Sequence, residues 1–268
     1  MKSSKRSAAA SAAVLCVLFL FSAATGAAQS PGLGAEEIVR SSRDRIQAAT
    51  VSTRSRMVIT AKDGSATERL IDQYSAKSDG MNKTVVIFQK PASVANTRFL
   101  TLESPGKGED RWIFLPSLGK VRRISSGEGS ASFMGTDLSY DDVSSANRNA
   151  SEDSHAILRE EKLGGKDCWV VESKPKAQEY QYSKIISWID KSSRIAFRIE
   201  LYDRKGELAK ILEILEVQDK QGRLTPVATR MSTVKAKTST TIYVDIIKYD
   251  DPIPAGVFTT KFLETGRP

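Results

Sequence analysis

The sequence predicts a mostly β protein built on one large curled antiparallel sheet of about eleven or twelve strands, with a few helices. Three observations lead there. Short runs rich in Val, Ile, Thr, Phe and Trp recur along the chain, separated by turns such as Lys62-Asp63-Gly64-Ser65, Gly164-Gly165 and Lys220-Gln221-Gly222. Ile195, Phe197, Ile199 and Leu201 alternate with Ala196, Arg198, Glu200 and Tyr202, which is a sheet with one apolar and one wet face. Only one segment, 35–49, has clear helical spacing, with Ile38, Ile46 and Ala49 on one face. A twisted sheet of that many strands curls, and its concave face then needs a cover. The 35–49 helix and the central loop are the covers within the sequence.

The elements follow in order. Residues 1–28 read as an export signal. Lys2, Lys5 and Arg6 supply its charged start, 12–24 an apolar stretch too short to span a bilayer comfortably, and Gly26-Ala27-Ala28 the small residues for cleavage near Ala28. Cys16 sits inside the apolar stretch rather than at its end, which argues against lipidation. The mature chain, 29–268, is expected in the periplasm as a single domain. After the linker 29–34 and the helix, strands are expected over 51–60, 67–75, 83–89, 97–102 and 110–115. Pro91 ends the third, since proline cannot donate to a ladder. A second series is expected over 156–163, 168–172, 183–189, 195–202, 209–218, 225–234 and 240–247. Residues 252–262 close the chain.

Charge and rare residues narrow the function. Loss of Lys2, Lys5 and Arg6 with the signal leaves 37 of the 40 basic residues against 32 acids, a net +5. An exported chain of that modest charge is not expected to meet nucleic acid. Mature residues include one cysteine, Cys168, so no internal disulfide or cysteine metal cluster is expected. The single histidine, His155, reads as a strand residue rather than half of a hydrolase site. The acid pairs Asp141-Asp142 and Asp250-Asp251 lack calcium-loop spacing. No enzyme, cofactor or metal is expected.

The segment 122–142, RRISSGEGSASFMGTDLSYDD, is the unusual one. It is too polar for a core strand, yet it holds Phe133-Met134-Gly135 in its middle. It reads as a loop folded over something apolar, with Phe133 and Met134 either a lid or a core anchor. Gly135 permits a positive φ there. Asp137 is expected to cap a helical stretch over 138–144. Arg122 and Arg123 point opposite ways on a strand. One of them can reach a lipid headgroup, or brace the loop by pairing with Asp137, Asp141 or Asp142.

Trp112-Ile113-Phe114-Leu115-Pro116, Val121-Arg122-Arg123-Ile124, Ser132-Phe133-Met134-Gly135-Thr136-Asp137 and Tyr140-Asp141-Asp142 together resemble the outer-membrane lipoprotein-sorting family, LolA-like proteins of the LolB and RseB superfamily. Ile186-Ser187-Trp188-Ile189-Asp190 is similar to a strand of the same family. The resemblance implies a half-open barrel with helices over its concave face and a cavity for acyl chains of lipids or lipoproteins. It implies a monomeric carrier that works beside an inner-membrane transporter. The alternative it implies is a lipid-sensing regulatory module acting on a protein partner. The expected cavity or lid residues are Met57, Ile59, Phe88, Phe99, Trp112, Phe114, Phe133, Met134, Ile186, Trp188, Phe197, Ile199 and Leu201. Arg122, Arg123 and Asp137 are the expected headgroup or loop-bracing residues.

Overall fold

The computed structural model describes residues 33–78, 80–104, 108–144 and 149–268. The expected signal, 1–28, lies outside the described residues. Within them the chain is mostly β, with three α-helices and one antiparallel sheet of thirteen strands that does not close. Helix α1 is Ala35–Arg43. Strands β1 (Thr50–Thr60), β2 (Ala66–Ser78), β3 (Met81–Lys90), β4 (Arg98–Ser104), β5 (Gly108–Leu115) and β6 (Lys120–Ile124) follow. Helix α2 (Tyr140–Ser144) lies in the long connection to β7 (Asp153–Leu163). The chain continues through β8 (Lys166–Pro175), β9 (Tyr182–Asp190), β10 (Ala196–Asp203), β11 (Leu208–Lys220), β12 (Arg223–Thr233) and β13 (Thr238–Tyr249) to α3 (Thr260–Thr265).

The strand beyond the expected twelve is β6, which reads poorly because its five residues include three cations, Lys120, Arg122 and Arg123. It is an edge strand, where charge is an asset because it discourages pairing with other chains. Helix α1 is shorter than expected. Asp44 caps it, and the chain leaves the helical pattern before Ile46.

The sheet is two meanders joined at their ends. β1 pairs with β2 on one side and β13 on the other. The strand order is therefore β6-β5-β4-β3-β2-β1-β13-β12-β11-β10-β9-β8-β7, with β6 and β7 at the two edges. The connection between those edges crosses the sheet at residues 133–142, where it contacts strands from β2 to β13. Met57, Ile71, Val86, Phe88, Phe99, Ile113 and Ile124 pack against Phe133 and Tyr140 of this crossing, which defines a crossover face.

The opposite face of β3–β5 is also buried. Val85, Ile87 and Leu100, with Trp112 and Phe114 beside them, pack against Val257, Phe258, Phe262 and Leu263 of the C-terminal segment. That explains why Thr84 to Phe88 is buried at every residue rather than at alternate ones. It also corrects one expectation: α1 lies on the crossover face, whereas α3 contacts β4, β5 and β6 beneath the C-terminal cluster on the other side.

Phe133 is 1% exposed and its ring meets those of Phe88, Phe99 and Tyr140 at centroid separations of 5.7, 5.2 and 5.5 Å. Replacing Phe133 with Ala should lower unfolding free energy by about 3–5 kcal/mol, since it removes a buried ring and three ring contacts. A urea titration followed by tryptophan fluorescence measures this; a loss under about 1 kcal/mol would mean the crossover does not depend on this anchor.

Candidate functional site

The crossover is fixed to the sheet at a series of points along its path. Its first turn, residues 126–128, carries a capping box in which the Ser125 amide and hydroxyl both donate to the Glu128 carboxylate, at 3.0 and 2.9 Å. Arg122 donates to the other oxygen of Glu128 at 2.5 Å. These bonds hold the Glu128 carboxyl down at about 2, with the Ser125 backbone bond the largest cause, then Arg122, then the Ser125 hydroxyl. Arg123 pairs with Asp110 at the surface. Neither arginine reaches the acids expected of it. Arg122 opposes Ile113 on the crossover face but is taken by Glu128, while Asp141 is taken by Arg111; Arg123 opposes Trp112 and lies on the other face.

Next comes the Phe-Met-Gly turn. Met134 and Gly135 have φ of 53° and 74°, and the Thr136 amide donates to the Phe133 carbonyl at 3.1 Å. Two successive positive φ angles make a type I′ turn, which drives Phe133 into the core. Arg69 of β2 donates to the Met134 carbonyl at 2.6 Å while its guanidinium lies 5.7 Å from the Phe88 ring. Met134 itself is a partly buried neighbour of the same cluster.

Asp137 does not cap a helix. It is 6% exposed and accepts hydrogen bonds from the hydroxyls of Thr233 (2.6 Å), Thr238 (2.5 Å) and Thr240 (2.8 Å). Its amide lies 2.9 Å from Thr240 Oγ1. The crossover is thereby tied to β12 and β13. The helix cap is Ser139 instead: the Ser139 amide donates to Asp142 and the Asp142 amide to Ser139 Oγ. Asp141 is held by Arg111 of β5 at 2.6 Å. Asp142 accepts from Lys210 of β11 at 2.7 Å and from the Tyr182 hydroxyl of β9 at 2.8 Å. Burial, then the adjacent Asp142 carboxylate, pushes the Tyr182 phenol up, so it stays a donor. Near the far edge, His155 Nε2 is 2.8 Å from the Ala150 carbonyl and Nδ1 is 2.8 Å from Ser173 Oγ. A carbonyl only accepts, so Nε2 carries a proton and donates it to Ala150. His155 is a fastener between the end of the crossover and β8.

Beneath this strap lies an apolar cavity of about 330 Å³. Its floor is the crossover face of four strands: Ile185 and Ile189 of β9, Ile199 and Leu201 of β10, Leu212 of β11 and Met231 of β12. Val39 and Ser42 of α1 and Leu138 of the crossover also line it, with Asp142, Tyr180 and Tyr182 as polar groups. Ile38 and Val39 seat α1 against Val171 and Ile189. Of the expected residues, Ile199 and Leu201 line the cavity. Met57, Phe88, Phe99 and Phe133 are brought together, but as solid core with Ile59 and Met134 packed alongside.

Trp112, Phe114, Ile186, Trp188 and Phe197 are corrected: they lie off the cavity. Trp112 and Phe114 belong to the C-terminal cluster, and Trp188 packs with Cys168, Val170 and Ile186. Lys166 sits over the Phe197 ring at 4.6 Å. The cause for Phe197 is a bulge in β10, where Ala196 opposes Ile189 and Arg198 opposes Trp188. The bulge removes Phe197 from the alternation and gives its place to Ala196. Leu212 and Met231 were missed because a single strand does not reveal which parity faces in. Their register with Ile199 and with each other places all three on one face.

Several known proteins are similar. A family model described as "Uncharacterized protein" matches residues 80–265. A DUF1329 family protein from Desulfovibrio piger is 26% identical with a TM-score of 0.81, covering 85% of this chain and 97% of its own. A "putative outer membrane lipoprotein-sorting protein domain" from Vibrio parahaemolyticus is 26% identical with a TM-score of 0.80, covering 86% of this chain and 98% of its own. A LolA superfamily protein from Nitrosomonas europaea shares the fold at 20% identity and a TM-score of 0.70, over 86% of this chain and 99% of its own. No curated protein matches.

Replacing Asp137 with Ala strips three threonine hydroxyls of their acceptor and should cost about 1–3 kcal/mol. Amide exchange should rise first in 129–144; unchanged exchange there would rule out the latch. Glu128 should titrate near pH 2 by carboxyl carbon NMR. Its folded value lies below the usual one, so the first turn is fully braced above pH about 4.5 and loses that bracing as pH falls through about 2. A midpoint near 4.5 would refute the bracing.

Proposed function

From a chain that belongs to the family spanning residues 80–265, among the LolA-like outer-membrane lipoprotein-sorting proteins, we propose a periplasmic carrier. It holds lipid or lipoprotein acyl chains in the apolar cavity and passes them between an inner-membrane transporter and the outer membrane. The observation that carries this reading is the cavity itself, about 330 Å³ with an aliphatic floor. That volume is near the lower end of ligand pockets, about 300–1,000 Å³. It suits part of an acyl chain at rest, with more room once the roof lifts.

The roof is built to move separately from the floor. The floor is four strands of one continuous ladder, β9 to β12. The roof is α1, of nine residues, and the crossover, which is joined to the sheet by side chains and not by a ladder. Elements with few backbone ties open at lower free energy than ladder strands. In this reading α1 and α2 cover the concave face of a curled sheet. Transfer makes and breaks no covalent bond, so no catalytic residue, cofactor or metal has a part in it. The leader-like 1–28 segment supports export. A monomer is supported by the sheet edges: β6 carries Lys120, Arg122 and Arg123, and β7 is bulged between Ile157 and Arg159.

Purified 29–268 protein should release lipid on organic extraction, detected by mass spectrometry, and should bind a fluorescent fatty acid. Ile199→Trp, which fills the cavity, should weaken that binding roughly tenfold or more while the far-ultraviolet dichroism is retained. No co-purified lipid together with no fatty-acid binding would overturn the carrier.

A further inference from the structure

Because neighbouring strands are antiparallel, six connections lie at one end of the sheet: those after β1, β3, β5, β8, β10 and β12. With the strand residues that flank them they comprise 60–66, 90–98, 115–120, 175–182, 203–208 and 233–238, all of them described. Each carries an exposed cation, in chain order Lys62, Lys90, Lys120, Lys176, Arg204 and Lys235. Arg98, Lys205 and Lys237 bring the total to nine. Four acids stand against them: Asp63, Glu179, Asp203 and Glu207. Nine against four is a surplus of +5, equal to the whole net charge of residues 29–268, so the rest of the mature chain balances to zero.

These charges are uncommitted. Arg98 is half-buried and bonded to the Leu263 carbonyl; the other eight are exposed, and none of them forms an ion pair among the described residues. At the opposite end of the sheet four cations are engaged within the fold: Lys191 with Glu160, Arg223 with Asp250, Arg194 over the Trp169 ring and Lys166 over the Phe197 ring. Two of the rim acids are used by their own turns. Asp63 accepts from the Ser65 amide and hydroxyl, and Asp203 from the amides of Lys205 and Glu207. Repulsion among the unpaired cations works against the fold unless an external anion offsets it. Seven of the eight are lysines, which are depleted at protein–protein interfaces but attracted to anionic lipid. Among them stand two apolar tips, Leu118 after β5 and Val234 after β12, 62% and 40% exposed. Cations spread along a whole rim with apolar tips between them fit a continuous surface rather than a pocket ligand. The apolar cavity reaches the same rim at Tyr180, in the connection that carries Lys176.

We propose that this rim is the face by which the protein docks on an anionic lipid bilayer, its lysines against the headgroup phosphates and Leu118 and Val234 in the interfacial layer. Docking in this orientation turns the Tyr180 end of the cavity toward the bilayer, where an acyl chain enters or leaves. It goes beyond the carrier reading and is measured without cargo, so either can fail alone.

Co-sedimentation of 29–268 protein with lipid vesicles tests this. Vesicles of phosphatidylcholine with about 30% phosphatidylglycerol should bind at least about tenfold more tightly than phosphatidylcholine alone, each cation near an anionic leaflet being worth roughly fivefold. Raising the salt to about 0.5 M should remove that difference. The variant Lys62→Gln/Lys205→Gln/Lys235→Gln/Lys237→Gln should lose about tenfold or more in binding to the anionic vesicles. A second variant, Lys162→Gln/Lys166→Gln/Lys220→Gln/Lys248→Gln, removes the same charge from the opposite end and should bind within about twofold of the unaltered protein, since charges beyond a Debye length are screened. An unchanged Tm checks that each variant is folded. Equal binding to both kinds of vesicle by the unaltered protein overturns the docking face. Equal loss in the two variants makes binding an effect of net charge and overturns the rim. Binding to neither vesicle, with a fluorescent fatty acid still bound, overturns docking and leaves the carrier standing. Rim-dependent vesicle binding without fatty-acid binding upholds docking and overturns the carrier.

Discussion

Pairing of β1 with β13 puts β6 and β7 at opposite edges of the sheet, and residues 125–152 have to travel between those edges. Adjacent residues Asp141 and Asp142 bind β5 on one side and β9 and β11 on the other, so the sheet curls and the chain crosses its apolar face. Such a chain must satisfy its own backbone while giving that face something to pack against. Much of the unusual composition of 122–142 answers this demand. Phe133 and Tyr140 bury against the sheet. Ser125, Glu128, Ser139 and Asp142 cap the turns. Met134, Asp137, Asp141 and Asp142 receive side chains from β2, β12–β13, β5 and β9–β11 in turn.

This strap also divides one half of the molecule from the other. Around Phe133 and Tyr140 the crossover face of β2–β6 is filled by aromatic and aliphatic side chains, and the C-terminal segment fills the opposite face of β3–β5. Over β9–β12 the crossover contributes Leu138, Asp142 and little else, and space remains beneath it. The difference comes from how the strap is attached. In the first half an aromatic anchor goes down into the sheet. In the second, the fasteners are polar groups, the Asp137–threonine latch and the Asp142–Lys210–Tyr182 cluster, which hold the chain in place without filling the volume below. Polar ties have water as an alternative partner once exposed, so they are the easier ones to exchange when a roof opens.

Legibility followed locality. The expected strands outside the crossover appear in the structure within a few residues of their expected ends, because period-two alternation and Asp-Gly or Gly-Gly turns are local signals. β6 was missed because an edge strand rich in cations lacks the apolar signature. Ile199 and Leu201 line the apolar cavity, yet the alternation that named them also named Phe197 and did not say which parity faces in. Trp112, Phe114 and Trp188 were not, because a large aromatic looks the same on either face until its neighbours are known. Phe197 was displaced by a one-residue bulge that leaves no local trace. Asp137 read as a helix cap because an acid before a short helix commonly is one. Its true partners are about a hundred residues away in β12 and β13.

By itself the sequence determined the fold class, the meander, the position of α1 and the fact that 122–142 folds over an apolar surface. Each of these is encoded in spacing between near neighbours. Tertiary structure decided which parity of each strand faces the crossover, that β1 pairs with β13, and that the face carries an apolar cavity beneath the crossover. Those facts depend on register between strands far apart in the chain. A one-residue change of register exchanges every side chain between the two faces, so no local pattern fixes them.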